Sequence, residues 1–250
     1  MQKKCIFCTN FDNLFAYIIF FYYLCSGFAT MQVLHLIKSI VIPDYNILRS
    51  FGNVPVNTAT LKSVLRNINN PNAKIKHWVD TGVLVPLKRG LYIVSPEITM
   101  QEPCLELIAN HLYSPSYVSL QYAMRHYGLI PERVFLITSI TTCHTRNFEN
   151  ALGHFAYHGV SRSYFAVGIT SEMQNDRAYL IATPEKALVD TILFSSYIPN
   201  SLVGLERFLE EDMRLDMPAL KQMNIPLLQA CKEVSAKQTI IQNLITLCQR

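Results

Sequence analysis

The stretch Asn70–Val94, NPNAKIKHWVDTGVLVPLKRGLYIV, constrains the fold most. Asn70 is a good helix N-cap, and Pro71 suits the first helical position, where an N–H has no intrahelical partner anyway. Ile75, Trp78 and Val79 share one face at helical spacing. Gly82 stands where a left-handed residue ends a helix. The opposite face carries Ala73, Lys76, His77 and Asp80, with Lys74 on the flank. Val83–Val85 and Leu91–Val94 then read as two strands, with Lys88-Arg89-Gly90 at the tip. Upstream, Leu34, Ile37, Ile40 and Val41 have helical spacing up to Pro43. Asp44 can cap a short helix through Leu48 and Phe51, and Gly52 permits a turn. Thr58 or Thr60 is placed to cap a helix burying Leu61, Val64 and Leu65. Four helical segments followed by a hairpin predict a winged helix-turn-helix over residues 31–95.

Charge separates this block from the rest. In residues 31–92, Lys38, Arg49, Lys62, Arg66, Lys74, Lys76, Lys88 and Arg89 face only Asp44 and Asp80, whereas residues 93–250 carry more acids than bases; the whole chain is at +4. A basic module beside a mildly acidic one predicts a polyanion partner for the first and another task for the second. The expected DNA-binding set is Lys62, Arg66, Asn72, Lys74, Lys76, His77, Lys88 and Arg89, with the last two over phosphates or in the minor groove.

Residues 96–250 predict a larger mixed α+β domain, so the fold class is α+β. Amphipathic helices are expected over 103–112 and 120–127, the second capped by Ser119. Strand-like stretches follow at 134–142, 153–160, 164–169 and 178–182. Thr183-Pro184-Glu185 opens a helix through Leu193, with Lys186 and Asp190 as a surface i,i+4 pair. Residues 201–250 read as helical. At 250 residues, half of them hydrophobic and 16% charged, the chain can bury a substantial core.

Residues 1–30 differ from the remainder. They hold nine Phe and Tyr and three of the seven Cys, and residues 13–37 lack any Asp, Glu, Lys or Arg. The segment reads as an over-extended start preceding Met31, as a membrane anchor, or as a cleaved signal. Cys5-x-x-Cys8 has no second ligand pair nearby, so no metal is expected. The remaining cysteines fit reduced thiols of a cytoplasmic protein.

Catalytic signals are thin. No P-loop, dinucleotide fingerprint, H-E-x-x-H or nucleophile elbow occurs. His154 and His158 would lie about 13 Å apart on a strand, too far to share one ion. Cys143-His144 point to opposite sides of a strand. Glu185, Lys186 and Asp190 offer part of a nuclease-like carboxylate–lysine set, the alternative enzyme reading. Arg125, Glu132 and Arg133 are candidate surface contacts.

The stretches KIKHWVDTGVLVPLKRGLYIV (74–94), SPSYVSLQYAMRHYGLIPERVFLITSIT (114–141), GHFAYHGV (153–160), IATPEKALVD (181–190) and LEEDMRLD (209–216) resemble the AbiEi antitoxin family, transcriptional regulators of type IV toxin–antitoxin systems. That resemblance implies a winged helix binding inverted repeats upstream of its own operon and a C-terminal antitoxin domain. It implies no enzymatic activity and no cofactor. The implied toxin is a nucleotidyltransferase-like protein encoded next door, counteracted without a stable complex. Carried over by position, Lys74, Lys76, His77, Lys88 and Arg89 match the family's recognition helix and wing. His77 and Trp78 depart from the family pattern, and residues 1–30 have no counterpart in it. The antitoxin surface drawn from this reading is Arg125, Glu132, Arg133, Glu185 and Lys186. A membrane-tethered regulator is the further alternative, with membrane association otherwise unexpected.

Overall fold

The computed structural model describes residues 44–174 and 176–250; the helix expected over 34–41, Lys38, Cys5-x-x-Cys8 and the whole apolar N-terminal segment lie outside them. The described chain is mixed α+β. The elements of its first part are α1 (Asp44–Arg49), β1 (Val56–Asn57), α2 (Thr58–Val64), α3 (Pro71–Asp80), β2 (Leu84–Lys88), β3 (Leu91–Val94) and α4 (Pro96–Thr99).

Local chemistry sets these boundaries. Asn70 Oδ1 accepts from Ala73 N at 3.1 Å, and Pro71 opens α3. Gly82 follows the helix at φ +72°, a conformation that costs a residue with a Cβ about 1–2 kcal/mol. The cap of α2 is Asn57, whose Oδ1 accepts from Thr60 N at 2.8 Å, and not Thr58 or Thr60. Thr58 instead bonds the hairpin, donating through its N to Gly90 O at 3.0 Å. Leu48, Leu61, Leu65, Ile75, Trp78, Leu84 and Val94 form a small core.

The three strands pair in the order β1-β3-β2. Alternation gives this sheet two buried faces. Leu84 and Val94 join the small core, while Leu87, Leu91 and Ile93 belong to the core of the larger part. The hairpin is therefore a wall shared by both.

The larger part comprises α5 (Leu105–Leu112), β4 (Ser116–Val118), α6 (Leu120–His126), β5 (Ile137–Thr141), β6 (Arg146–Asn150), β7 (Gly153–Gly159), α7 (Arg162–Phe165), β8 (Ile169–Gln174), β9 (Arg177–Ala182), α8 (Pro184–Phe194), α9 (Leu202–Arg207), a π-helical turn (Phe208–Asp212), α10 (Met217–Leu220), α11 (Ile225–Val234) and α12 (Gln238–Cys248). Its six-stranded sheet runs β6-β7-β5-β4-β9-β8, parallel only at β5–β7 and β4–β9. Adjacent residues of β4 show which helix covers which face. Ser116 reaches Ala109 O on α5, whereas Tyr117 reaches Asp190 on α8. Three strands of this sheet lie outside the expected stretches: β4 and β6, which are short or polar, and β8, which shares only Ile169 with the expected 164–169. The stretch 164–169 is a helical turn followed by a strand start, because Ser161 caps it by accepting from Tyr164 N at 3.4 Å.

The Lys186–Asp190 pair overturns the expectation of a surface contact. Both side chains are wholly buried, with Lys186 Nζ 3.1 Å from Asp190 Oδ1. Nearly all of α8 is buried, since it lies between the sheet and the C-terminal helices. Tyr164 and Ser119 each donate to Asp190 at 2.6 Å and Tyr117 donates at 3.1 Å. Ser119 therefore does not cap α6 through its side chain. Lys186 Nζ also donates to Tyr164 O at 3.2 Å and lies 3.2 Å from that ring's centroid. Burial pushes Asp190 up against the pull of Lys186, and pushes Lys186 down against the pull of Asp190. Each member depends on the others for its charge.

Candidate nucleic-acid interface

The exposed surface of the first part is polar and basic. Along α3, Ile75 and Trp78 are buried, and Asn72, Ala73, Lys76, His77 and Asp80 face solvent. This is the face the helical spacing separates from the core. Lys74 is half-buried on the flank, its ammonium 5.5 Å from the Trp78 ring centroid. Lys62 and Arg66 are exposed on and just after α2, so they flank the polar connection that leads into α3. Thr81 closes α3 by donating from N and Oγ1 to His77 O.

Arg89 is exposed in the turn between β2 and β3. Lys88 is exposed too, but its ammonium has a partner in the larger part. The β2–β3 register shifts between Pro86 and Lys88, so that Lys88 stands opposite Leu91. Cross-strand partners share a face, and Leu91 packs into the large core. The bulge thus turns both Leu87 and Lys88 toward the larger part. Lys88 Nζ donates to Leu112 O, the last residue of α5, at 2.5 Å, and sits 6.0 Å from the Phe148 ring centroid on β6. Burial first, and then Arg146, hold its ammonium below the usual lysine range. Asn150 Nδ2 donates to Leu87 O at 3.3 Å, a second tie between β6 and the hairpin. Counting by twos along β2 cannot reveal this, because the extra residue of the bulge is not legible in the pattern.

The remaining candidate residues separate into a surface group and a buried group. Glu185 and Lys186 are buried in α8, and Glu185 Oε1 accepts from Asn224 N at 2.9 Å. They are not surface residues, and Asp190 beside them is wholly buried. Arg125 is exposed on α6. Glu132 and Arg133 line a groove of about 680 Å³ together with Phe135, Leu136, Phe208 and Asp212. Phe135 is 82% exposed there, and the π-helical turn forms one wall. Glu132 pairs with Arg214 at 3.6 Å. An exposed phenylalanine beside charged residues fits a contact surface.

The histidines do not converge. His154 is exposed and 3.8 Å from Glu149, and His158 packs its ring 4.7 Å from that of Phe194. Cys143 and His144 line a shallow cavity of about 690 Å³ with Tyr113 and Ser161. Cys104, Cys143, Cys231 and Cys248 are free thiols. Among the described residues, no group of three or more His, Cys, Asp or Glu could hold a metal ion, and no helix is long and apolar enough to cross a membrane. Compared with known proteins, the chain matches no family model and no curated protein.

Proposed function

We propose that the protein is a DNA-binding autorepressor and antitoxin of a type IV toxin–antitoxin system, acting in the cytoplasm and without catalysis. In this reading residues 31–95 form a winged helix-turn-helix. The observation that carries it is the solvent face of α3, where Asn72, Lys76 and His77 are exposed, together with exposed Lys62 and Arg66 on and just after α2 and exposed Arg89 in the hairpin turn. A ten-residue helix with a polar outer face fits the major groove, and Asn and Lys side chains there read base edges. Lys62, Arg66 and Arg89 neutralise phosphates, the term that supplies most of the affinity. The operator is an inverted repeat upstream of the protein's own operon.

The antitoxin role rests on the resemblance of 114–141, 153–160, 181–190 and 209–216 to the AbiEi family. Its surface is the groove rimmed by Glu132, Arg133 and Phe135, together with exposed Arg125 on α6. The toxin is a neighbouring nucleotidyltransferase-like protein, opposed in effect rather than by a stable complex.

The test separates the two tasks. Lys76→Ala or Arg89→Ala weakens operator binding and leaves protection from the toxin intact. Loss of protection with DNA binding unchanged contradicts this division of labour.

A further inference from the structure

The large domain places a cation beside the hairpin that the basic N-terminal block does not account for. Arg146 opens β6, and its guanidinium carbon lies 4.9 Å from the Phe148 ring centroid. Lys88 lies 6.0 Å from the same ring. Arg146, Phe148 and Asn150 alternate onto one face of β6, the face that meets the hairpin through Asn150 and Leu87. Phe148 is itself fixed, with ring centroids 5.5 Å from Tyr113 and 5.7 Å from Tyr157. Arg146 is exposed, and no carboxylate stands within 4 Å of it among the described residues. Two cations beside one ring repel each other; burial first, and then Arg146, hold the Lys88 ammonium below the usual lysine range. A phosphate bound beside them would relieve that repulsion.

We propose that Arg146 is a phosphate-binding residue of the same DNA surface, extending it from the hairpin onto the large domain, while Lys88 is a positioning residue that anchors the hairpin. The proposal rests on the DNA-binding reading above. Arg146 is held against Phe148, and among the described residues no carboxylate pairs with its guanidinium. Lys88 has its ammonium committed to Leu112 O at 2.5 Å. The roles are the reverse of what sequence position suggests, because the bulge sets Lys88 opposite Leu91 and within reach of Leu112 O, and the sheet order brings β6 to the hairpin.

Salt dependence distinguishes a phosphate contact from an anchor. Each neutralised phosphate contributes about 0.9 to the slope of log K against log salt. Binding of the full chain to a labelled duplex of its own upstream DNA is measured by fluorescence anisotropy over a salt series. Arg146→Met is expected to reduce the slope by about one phosphate's worth and to weaken binding several-fold at low salt, with an unchanged melting temperature. Lys88→Met is expected to keep the slope and to lower the melting temperature. An Arg146→Met slope and affinity equal to those of the unsubstituted protein overturn the role of Arg146. A reduced slope for Lys88→Met overturns the anchor. Absence of salt-dependent binding by the unsubstituted protein removes the DNA reading itself, and this proposal with it.

Discussion

Asp190 is the most exacting test of how the large domain is held together. Its carboxylate accepts from Ser119, Tyr164, Tyr117 and Lys186, and both it and Lys186 are fully buried. Asp190→Ala leaves three hydroxyls without their acceptor and an ammonium without its counter-charge. An unsatisfied buried donor costs about 1–3 kcal/mol, and breaking a buried ion pair from one side costs about 3–5 kcal/mol. Because hydroxyls rotate and Lys186 can release its proton, these costs do not add, and a loss of about 3–5 kcal/mol is expected. Against a total stability of about 5–15 kcal/mol, that is a large share. For a chain of this size it lowers the melting temperature by about 6–20 °C. Asp190→Asn keeps one acceptor oxygen and is expected to lose less. Urea unfolding followed by circular dichroism measures both, through the midpoint at unchanged slope. A loss below about 1 kcal/mol for Asp190→Ala would refute the view that the network is a tightly coupled unit.

Three further outcomes follow from local geometry. Asn70→Ala removes the cap of α3 and is expected to cost about 1 kcal/mol, read as a shift in the unfolding midpoint, with weaker DNA binding because the helix start frays. Gly168→Ala places a Cβ 2.7 Å from Lys186 Cβ at φ +73°; the left-handed backbone alone costs roughly 1–2 kcal/mol, and a melting temperature within 1 °C of the parent would contradict the packing described. Burial raises the Glu172 carboxyl, but hydrogen bonds from Tyr127 at 2.8 Å and His126 at 2.6 Å outweigh it and hold it below the usual glutamate range. Its stabilising contribution is therefore present above the unfolded glutamate pKa and lost as pH falls through the lower folded value. Tyr127→Phe is expected to flatten the fall in melting temperature below about pH 4.5.

The parts of the fold legible in the sequence are those written in local chemistry. Asn70-Pro71 and Gly82 delimit α3, and Thr183-Pro184 opens α8 with Thr183 accepting from Lys186 N at 3.3 Å. The exposed side of α3 follows from the spacing of Ile75 and Trp78. What the sequence hides is long-range. The burial of Lys186 and Asp190 depends on Tyr117, Ser119 and Tyr164, which arrive from β4, its end and α7. Nothing at i,i+4 spacing distinguishes a solvated pair from a buried one. The orientation of Lys88 depends on a single-residue bulge. The strand β6, RNFEN, lacks an apolar run because its outer residues face solvent at the sheet edge, so Arg146 carries no signal until the sheet is assembled.

On the proposed reading, the basic N-terminal part binds DNA through α3 and the hairpin turn. A titration of the protein on its own upstream DNA against random duplex, at two salt concentrations, tests it most directly. Tight, sequence-selective binding that weakens steeply with salt and is lost selectively in Lys76→Ala is expected. Weak binding, equal on both duplexes and unchanged by Lys76→Ala, would reduce that face to a solvated surface and contradict the account.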